Sequence, residues 1–117
     1  MEQLDQDRRI ATRIKKVNLV QVSRFDEEGF RADLATGRTL DISSGGIRLE
    51  LHHPLPLRSI VGVTLALDNQ IIEVSGTVAY LEVLDHEKCA MGIEFSDLSP
   101  ETAKLIDGYV GSSVTVS

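Results

Sequence analysis

Apolar residues recur at every second position through the middle of this 117-residue chain. The alternation is clearest at 47–51, and it returns at 61–67 and at 72–80. A period of two is typical of a β-strand that has one face in a core and the other in water. The Asp68-Asn69 pair between the last two segments suits a tight turn, so these segments predict a hairpin. The pattern favours a fold built from antiparallel strands.

Further strand-like segments lie on both sides of this region. β-forming residues are frequent at 17–23, 30–34 and 39–42, and alternation resumes at 91–95 after a polar turn at 85–88. After Tyr80 the apolar phase slips, which predicts a bulge or a bend near the end of that strand. Six or seven short strands separated by turns predict a mainly β fold, a small antiparallel six- or seven-stranded β-barrel.

Only the end of the chain has helical periodicity. Ser99 suits the N-cap position, and Pro100 suits the first helical position. The apolar face that follows consists of Leu105, Ile106, Tyr109 and Val110. We therefore expect a C-terminal α-helix that covers one opening or face of the barrel.

A basic cluster near the beginning of the chain contrasts with the rest of the sequence. Five of the twelve Lys and Arg residues lie in the nine positions from Arg8 to Lys16. The remaining residues hold 7 cations against 18 acids, a balance of -11. Such a local excess of positive charge indicates a requirement for an anion, and a small anionic ligand is the first expectation.

Composition limits the class of protein. A length of 117 residues with 42% apolar residues suits one globular domain. Cys89 is the single cysteine, so no intramolecular disulfide can form, and its apolar neighbours predict a buried small hydrophobe. No apolar stretch approaches the ~20 residues of a membrane-spanning helix, and the N-terminus lacks the apolar core of a signal peptide. We expect a cytoplasmic protein with no membrane insertion.

Sequence signals for catalysis, metals and nucleic acids are weak. Ser43 and Ser44 lack the Gly-x-Ser-x-Gly context of a nucleophile and no Walker loop is present, so an enzyme is not expected. His52, His53 and His86 have no His or Cys partners at ligand spacing, which argues against a metal. A pI near 4.9 and few aromatic residues argue against a nucleic-acid partner. No cofactor is expected.

Two short motifs stand out in the chain. Residues 9–13 fit an RxxxR pattern, and residues 41–46 fit DxSxxG, 28 residues after Arg13. Residues 91–95 with 96–99 read as a strand that enters a C-terminal helix. In order and spacing these segments resemble the PilZ domain family, and the resemblance covers residues 8 to about 110. It implies a bacterial receptor for the second messenger cyclic di-GMP.

The resemblance implies a ligand site formed by Arg9, Arg13, Asp41, Ser43 and Gly46. Cyclic di-GMP offers two phosphates and two guanine edges. A guanidinium makes two parallel hydrogen bonds to a phosphate or to guanine O6 and N7, whereas a carboxylate accepts from guanine N1 and N2. A serine adds a small donor and acceptor, and glycine lets backbone N–H groups approach an anion.

Arg8 lies immediately before the RxxxR pattern. Within the family, an arginine at this position accompanies the binding of an intercalated cyclic di-GMP dimer. The resemblance therefore implies Arg8 as a further ligand residue, with two ligands for each chain.

The motifs suggest three parts of the chain. Residues 1–16 are expected to form a mobile basic N-terminal arm that carries RxxxR, residues 17–110 a PilZ-like β-barrel plus C-terminal helix, and residues 111–117 a loose tail. We expect the arm to fold over the ligand and to create a surface for an unidentified downstream protein. The resemblance implies outputs in motility, biofilm or exopolysaccharide control. The alternative is a ligand-independent PilZ-like protein-protein adaptor.

Overall fold

The alternating segments of the sequence form strands that close into a barrel. The computed structural model describes residues 19–67 and 70–115. Its elements are β1 (Leu19–Phe25), β2 (Arg31–Ser43), β3 (Gly46–Leu51), β4 (Ile60–Leu67), β5 (Gln70–Val83), β6 (Cys89–Ser96) and the helix α1 (Pro100–Thr115). The strands pair in antiparallel fashion in the order β1-β2-β3-β6-β5-β4, and the barrel closes between β4 and β1. The predicted mainly β barrel with a C-terminal helix is confirmed, with six strands.

Strand β2 is longer than the sequence suggested. The separate segments predicted at 30–34 and 39–42 belong, except for residue 30, to this one strand, which pairs with β1 over its first part and with β3 over its second. Leu19, the first residue of β1, lies opposite Arg38. The end of β2 therefore continues past the start of β1, and Asp41 lies at the end of the barrel where β1 begins.

Inward-facing side chains of the strands form the core. The alternation predicted for β3 and β4 is confirmed, because their inward positions are at most 4% exposed. These positions are Ile47, Leu49, Leu51, Val61, Val63, Leu65 and Leu67. Val20 and Val22 of β1 and Met91 of β6 are fully buried against them. Burial of this apolar layer is the main favourable contribution to closing the barrel.

A bulge in β5 changes the side of the barrel to which its side chains point. The register with β6 shifts between Val78, which is fully buried opposite Ile93, and Tyr80, which lies opposite Gly92. The predicted bulge is thus present, but it precedes Tyr80. The expectation that Tyr80 continues the inward phase is wrong, since the extra residue places this side chain on the outer face, 44% exposed.

The C-terminal helix begins where its sequence signals predict. The Oγ atom of Ser99 accepts a hydrogen bond of 3.1 Å from the backbone N–H of Thr102, so Ser99 is the N-cap. Ile106 is fully buried and Tyr109 is buried, and the helix packs against β2 and β4. Leu105, predicted on the apolar face, is 38% exposed.

The helix continues to Thr115, beyond the end near residue 110 that we predicted. Residues 111–115 of the proposed loose tail are therefore helical. No helix among the described residues combines the length and the apolar character needed to cross a bilayer.

Candidate functional site

An open cleft lies on the outer face of the barrel, where β2, β3, β6 and β5 are neighbours. One row of residues crosses these four strands: Asp41 lies opposite Arg48, Arg48 opposite Gly92, and Gly92 opposite Tyr80. The cleft has a volume of about 230 Å³, and the β2–β3 turn forms one of its walls. The position of the cleft follows from the strand order. Because β6 pairs with both β3 and β5, side chains of these three strands share one surface.

The turn between β2 and β3 is fixed by its own hydrogen bonds and by β6. Ser43 pairs with Gly46, so only Ser44 and Gly45 form the connection. The Oγ atom of Ser43 accepts a hydrogen bond of 3.1 Å from the backbone N–H of Gly45. The carbonyl oxygen of Gly45 accepts a hydrogen bond of 3.0 Å from the backbone N–H of Phe95. The turn is therefore preorganised at the edge of the cleft.

Two glycines of the cleft are in positions where a side chain would collide with neighbouring atoms. A Cβ atom at Gly46 would lie 2.3 Å from the carbonyl oxygen of Ile93 in β6. A Cβ atom at Gly92 would lie 2.1 Å from the ring of Tyr80. Gly46 thus permits the close approach of β3 and β6, and Gly92 permits the Tyr80 ring to lie over β6.

The Arg48 guanidinium of the cleft contacts two carboxylates. The Nε atom of Arg48 donates a hydrogen bond of 3.1 Å to Oδ2 of Asp41. Nη1 of the same guanidinium lies 3.5 Å from Oε1 of Glu82. The hydrogen bond to Asp41 raises the pKa of Arg48 above its ordinary value, because the carboxylate favours the charged guanidinium. The Asp41 side chain remains 62% exposed and accessible to a ligand.

Three of the predicted ligand residues meet in this cleft. Asp41 and Ser43 lie at the end of β2, and Gly46 begins β3, so the structure brings the DxSxxG motif to one surface. The predicted ligand residues Arg8, Arg9 and Arg13 lie outside the described residues.

Among the residues of the cleft that sequence reasoning missed are Arg48, Tyr80 and Glu94. Arg48 could have been found, because the alternation of β3 places it on the same face as Gly46. Tyr80 was hidden by the bulge, which reverses the face on which the apolar phase had placed it.

The histidines and the cysteine do not line the cleft. Nδ1 of His52 lies 2.7 Å from the carbonyl oxygen of Glu87. Over residues 19–67 and 70–115, no group of three or more His, Cys, Asp or Glu residues could hold a metal ion. Cys89 is partly buried, and its Sγ donates to the carbonyl oxygen of Leu51 at 3.4 Å. Burial raises the pKa of the Cys89 thiol, because the thiolate would lose solvation.

Comparison with known proteins identifies the family. The model of the PilZ domain family matches residues 7–112. The chain belongs to the PilZ family. The barrel of this PilZ domain is also similar to the crystal structure of the PilZ domain of CeSA from a cellulose-synthesizing bacterium, with a TM-score of 0.56. That match covers 77% of this chain and 85% of the other at 16% identity, which shows a shared fold. A comparison with curated proteins found no match.

Membership confirms the family resemblance that the two motifs suggested. PilZ domains are a family of cyclic di-GMP-binding effectors, and they act by binding and regulation rather than by catalysis. In this PilZ domain the DxSxxG motif lines an accessible cleft on the outer surface of the barrel.

Proposed function

We propose that this PilZ domain is a cytoplasmic receptor that binds cyclic di-GMP in the cleft between the β2–β3 turn and Tyr80. The observation that carries the proposal is the convergence of Asp41, Ser43 and Gly46 on one preorganised surface. The exposed carboxylate of Asp41 can accept hydrogen bonds from guanine N1 and N2. Guanine edges are therefore the ligand groups that this part of the cleft suits best.

The net charge of the cleft residues that the structure describes indicates that an anionic ligand needs further cations from elsewhere in the chain. Its lining offers the carboxylates of Asp41 and Glu94 against one guanidinium, that of Arg48, and Glu82 adds another negative charge nearby. A ligand with two phosphates would be repelled by this balance. We assign the missing positive charge to Arg8, Arg9 and Arg13, whose planar guanidinium groups suit phosphates and guanine edges.

The path of the chain allows these arginines to reach the cleft. Leu19 lies beside Arg38, and Asp41 follows three residues further along β2. The start of β1 is therefore roughly 10 Å from Asp41 along the sheet. Arg13 precedes Leu19 by six residues, a stretch that can span up to about 20 Å. An arginine at residue 13 or earlier can thus reach a ligand beside Asp41.

Isothermal titration of cyclic di-GMP tests the receptor function. An Arg9→Ala, Arg13→Ala double variant should lose binding, whereas a Lys15→Ala, Lys16→Ala variant removes the same charge and should bind at most a few-fold more weakly. GTP and cyclic di-AMP serve as ligand controls. A ratio near two ligands per chain, reduced to one by Arg8→Ala, would support an intercalated dimer. A wild-type protein that fails to bind would be a ligand-independent adaptor instead.

Signalling requires that the ligand favours one conformation over another. We propose that residues 5–16 close over the bound ligand and complete a surface that a downstream protein recognises. Amide hydrogen exchange in this segment should slow when cyclic di-GMP is added, and unchanged exchange would contradict closure.

Control of motility, biofilm or exopolysaccharide would then depend on the partner, which affinity capture with and without cyclic di-GMP can identify. Asp41→Asn provides the binding-deficient control.

A further inference from the structure

Arg48 links the DxSxxG motif to the opposite side of the cleft. Its side chain starts on β3, donates from Nε to Asp41 on β2, and reaches toward Glu82 on β5. Strand β6 lies between β3 and β5, so the guanidinium must extend over it. Gly92 and Ala90, the β6 residues in these two rows, carry little or no side chain; the Tyr80 ring lies over Gly92, and Ala90 is fully buried.

This arrangement holds the Asp41 carboxylate while leaving it accessible. One oxygen, Oδ2, is engaged by Arg48, and the side chain is still 62% exposed. A carboxylate oxygen has two lone pairs, so Oδ2 can accept from Arg48 and from a ligand at the same time. A carboxylate held in one orientation binds a ligand with less loss of conformational entropy than one that rotates freely.

We propose that Arg48 is a positioning residue of the ligand site, which orients Asp41 toward guanine, and that Glu82 weakens binding by its negative charge at the cleft edge. The inference rests on the proposed function, because it concerns how the same site selects guanine. Arg48 acts through Asp41, whereas Glu82 competes for the guanidinium and repels an anionic ligand.

A double-mutant cycle tests whether Arg48 acts through Asp41. Arg48→Ala should weaken cyclic di-GMP binding roughly ten-fold and reduce discrimination against cyclic di-AMP, which lacks the guanine N1–H and the exocyclic N2 donor. Added to Asp41→Asn, Arg48→Ala should cause a much smaller loss than in the wild type, no more than the few-fold effect of removing one charge from the cleft. Arg24→Ala is the matched control, because Arg24 makes the same type of exposed pair with Asp33, at 2.8 Å, outside the cleft. Losses that multiply in the double variant would overturn the positioning role.

A measurement without ligand separates this inference from the proposed function. In proton–nitrogen correlation spectra, the Arg48 Nε–H signal should shift in Asp41→Asn, because its hydrogen-bond acceptor loses charge. An unchanged signal would refute the contact between the two side chains. A shifted signal in a protein that binds no cyclic di-GMP would sustain the pairing and refute the receptor function. Arg48→Ala should unfold at the wild-type urea concentration, since an exposed ion pair contributes little stability.

Removal of the Glu82 charge tests whether this residue weakens ligand binding. Glu82→Gln should bind cyclic di-GMP about two- to five-fold more tightly at low salt, and the gain should shrink as ionic strength rises. Glu73→Gln makes the same change of charge earlier on β5, away from the cleft, and should leave affinity unchanged. Equal or weaker binding by Glu82→Gln would overturn the proposal for this residue.

Discussion

Replacement of Gly46 by alanine tests whether the packing of β3 against β6 requires glycine at this position. The added Cβ would lie 2.3 Å from the carbonyl oxygen of Ile93, closer than Cβ contacts in folded proteins. The obstacle is backbone of the neighbouring strand, which cannot rotate away as a side chain could. Strands β3 and β6 must therefore separate at the point where the β2–β3 turn is attached.

The expected cost follows from two opposing effects. Overpacking of a well-packed site costs about 1–3 kcal/mol, and the reduced freedom of the unfolded chain on Gly→Ala returns about 0.4–1 kcal/mol. We expect Gly46→Ala to lower the free energy of unfolding by about 1–2 kcal/mol. For a domain of this size that corresponds to a melting temperature lower by roughly 5–10 °C.

Gly45→Ala is the matched control, because it makes the same chemical change one residue earlier. Its Cβ would meet only the Oγ atom of Ser43 at 3.6 Å, an ordinary contact. This variant should be as stable as the wild type or slightly more stable. Urea unfolding monitored by circular dichroism measures both variants, with the slope m expected to stay constant. Equal midpoints for Gly46→Ala and Gly45→Ala would refute the argument that the β3–β6 approach requires glycine.

Three further predictions concern the helix and the cysteine. Ile106→Ala should cost about 2–5 kcal/mol in urea unfolding because Ile106 is fully buried, whereas Leu105→Ala, at a site 38% exposed, should cost less than about 1 kcal/mol. Ser99→Ala should cost about 0.5–2 kcal/mol by removing the N-cap, and Ser99→Asp should retain most of that stability. Alkylation of Cys89 by iodoacetamide should be slower than that of glutathione at pH 8, because burial raises the thiol pKa and lowers the thiolate fraction. Equal alkylation rates would contradict this environment.

Local signals in the sequence were sufficient for several elements of the fold. The alternation at 47–51 and 61–67 identified β3 and β4, since the inward positions of a half-buried strand must be apolar. Ser99 and Pro100 marked the start of the helix for equally local reasons. The continuity of β2 was not predicted, because most of its side chains are exposed and the strand carries no regular apolar alternation.

The lining of the cleft was predicted only where it is continuous in sequence. Asp41, Ser43 and Gly46 occupy one hairpin, so their proximity needs no knowledge of the rest of the fold. Tyr80 reaches the cleft, and Glu82 approaches Arg48, only because β6 pairs with both β3 and β5. Alternation indicates which side chains face outward, but it does not indicate which strands are neighbours, because pairing depends on closure of the whole barrel.

Under the proposed function, affinity and selectivity depend on different strands. In the proposed receptor, residues of the DxSxxG hairpin set which ligand groups are recognised, and Gly46 is also constrained by strand packing. Glu82 lies on the exposed face of a strand far away in sequence, and it has no part in the core. A substitution there can change the electrostatic field at the cleft without disturbing the hairpin. We therefore expect affinity to be adjusted most readily on β5, while guanine selectivity stays with Asp41 and the arginine that holds it.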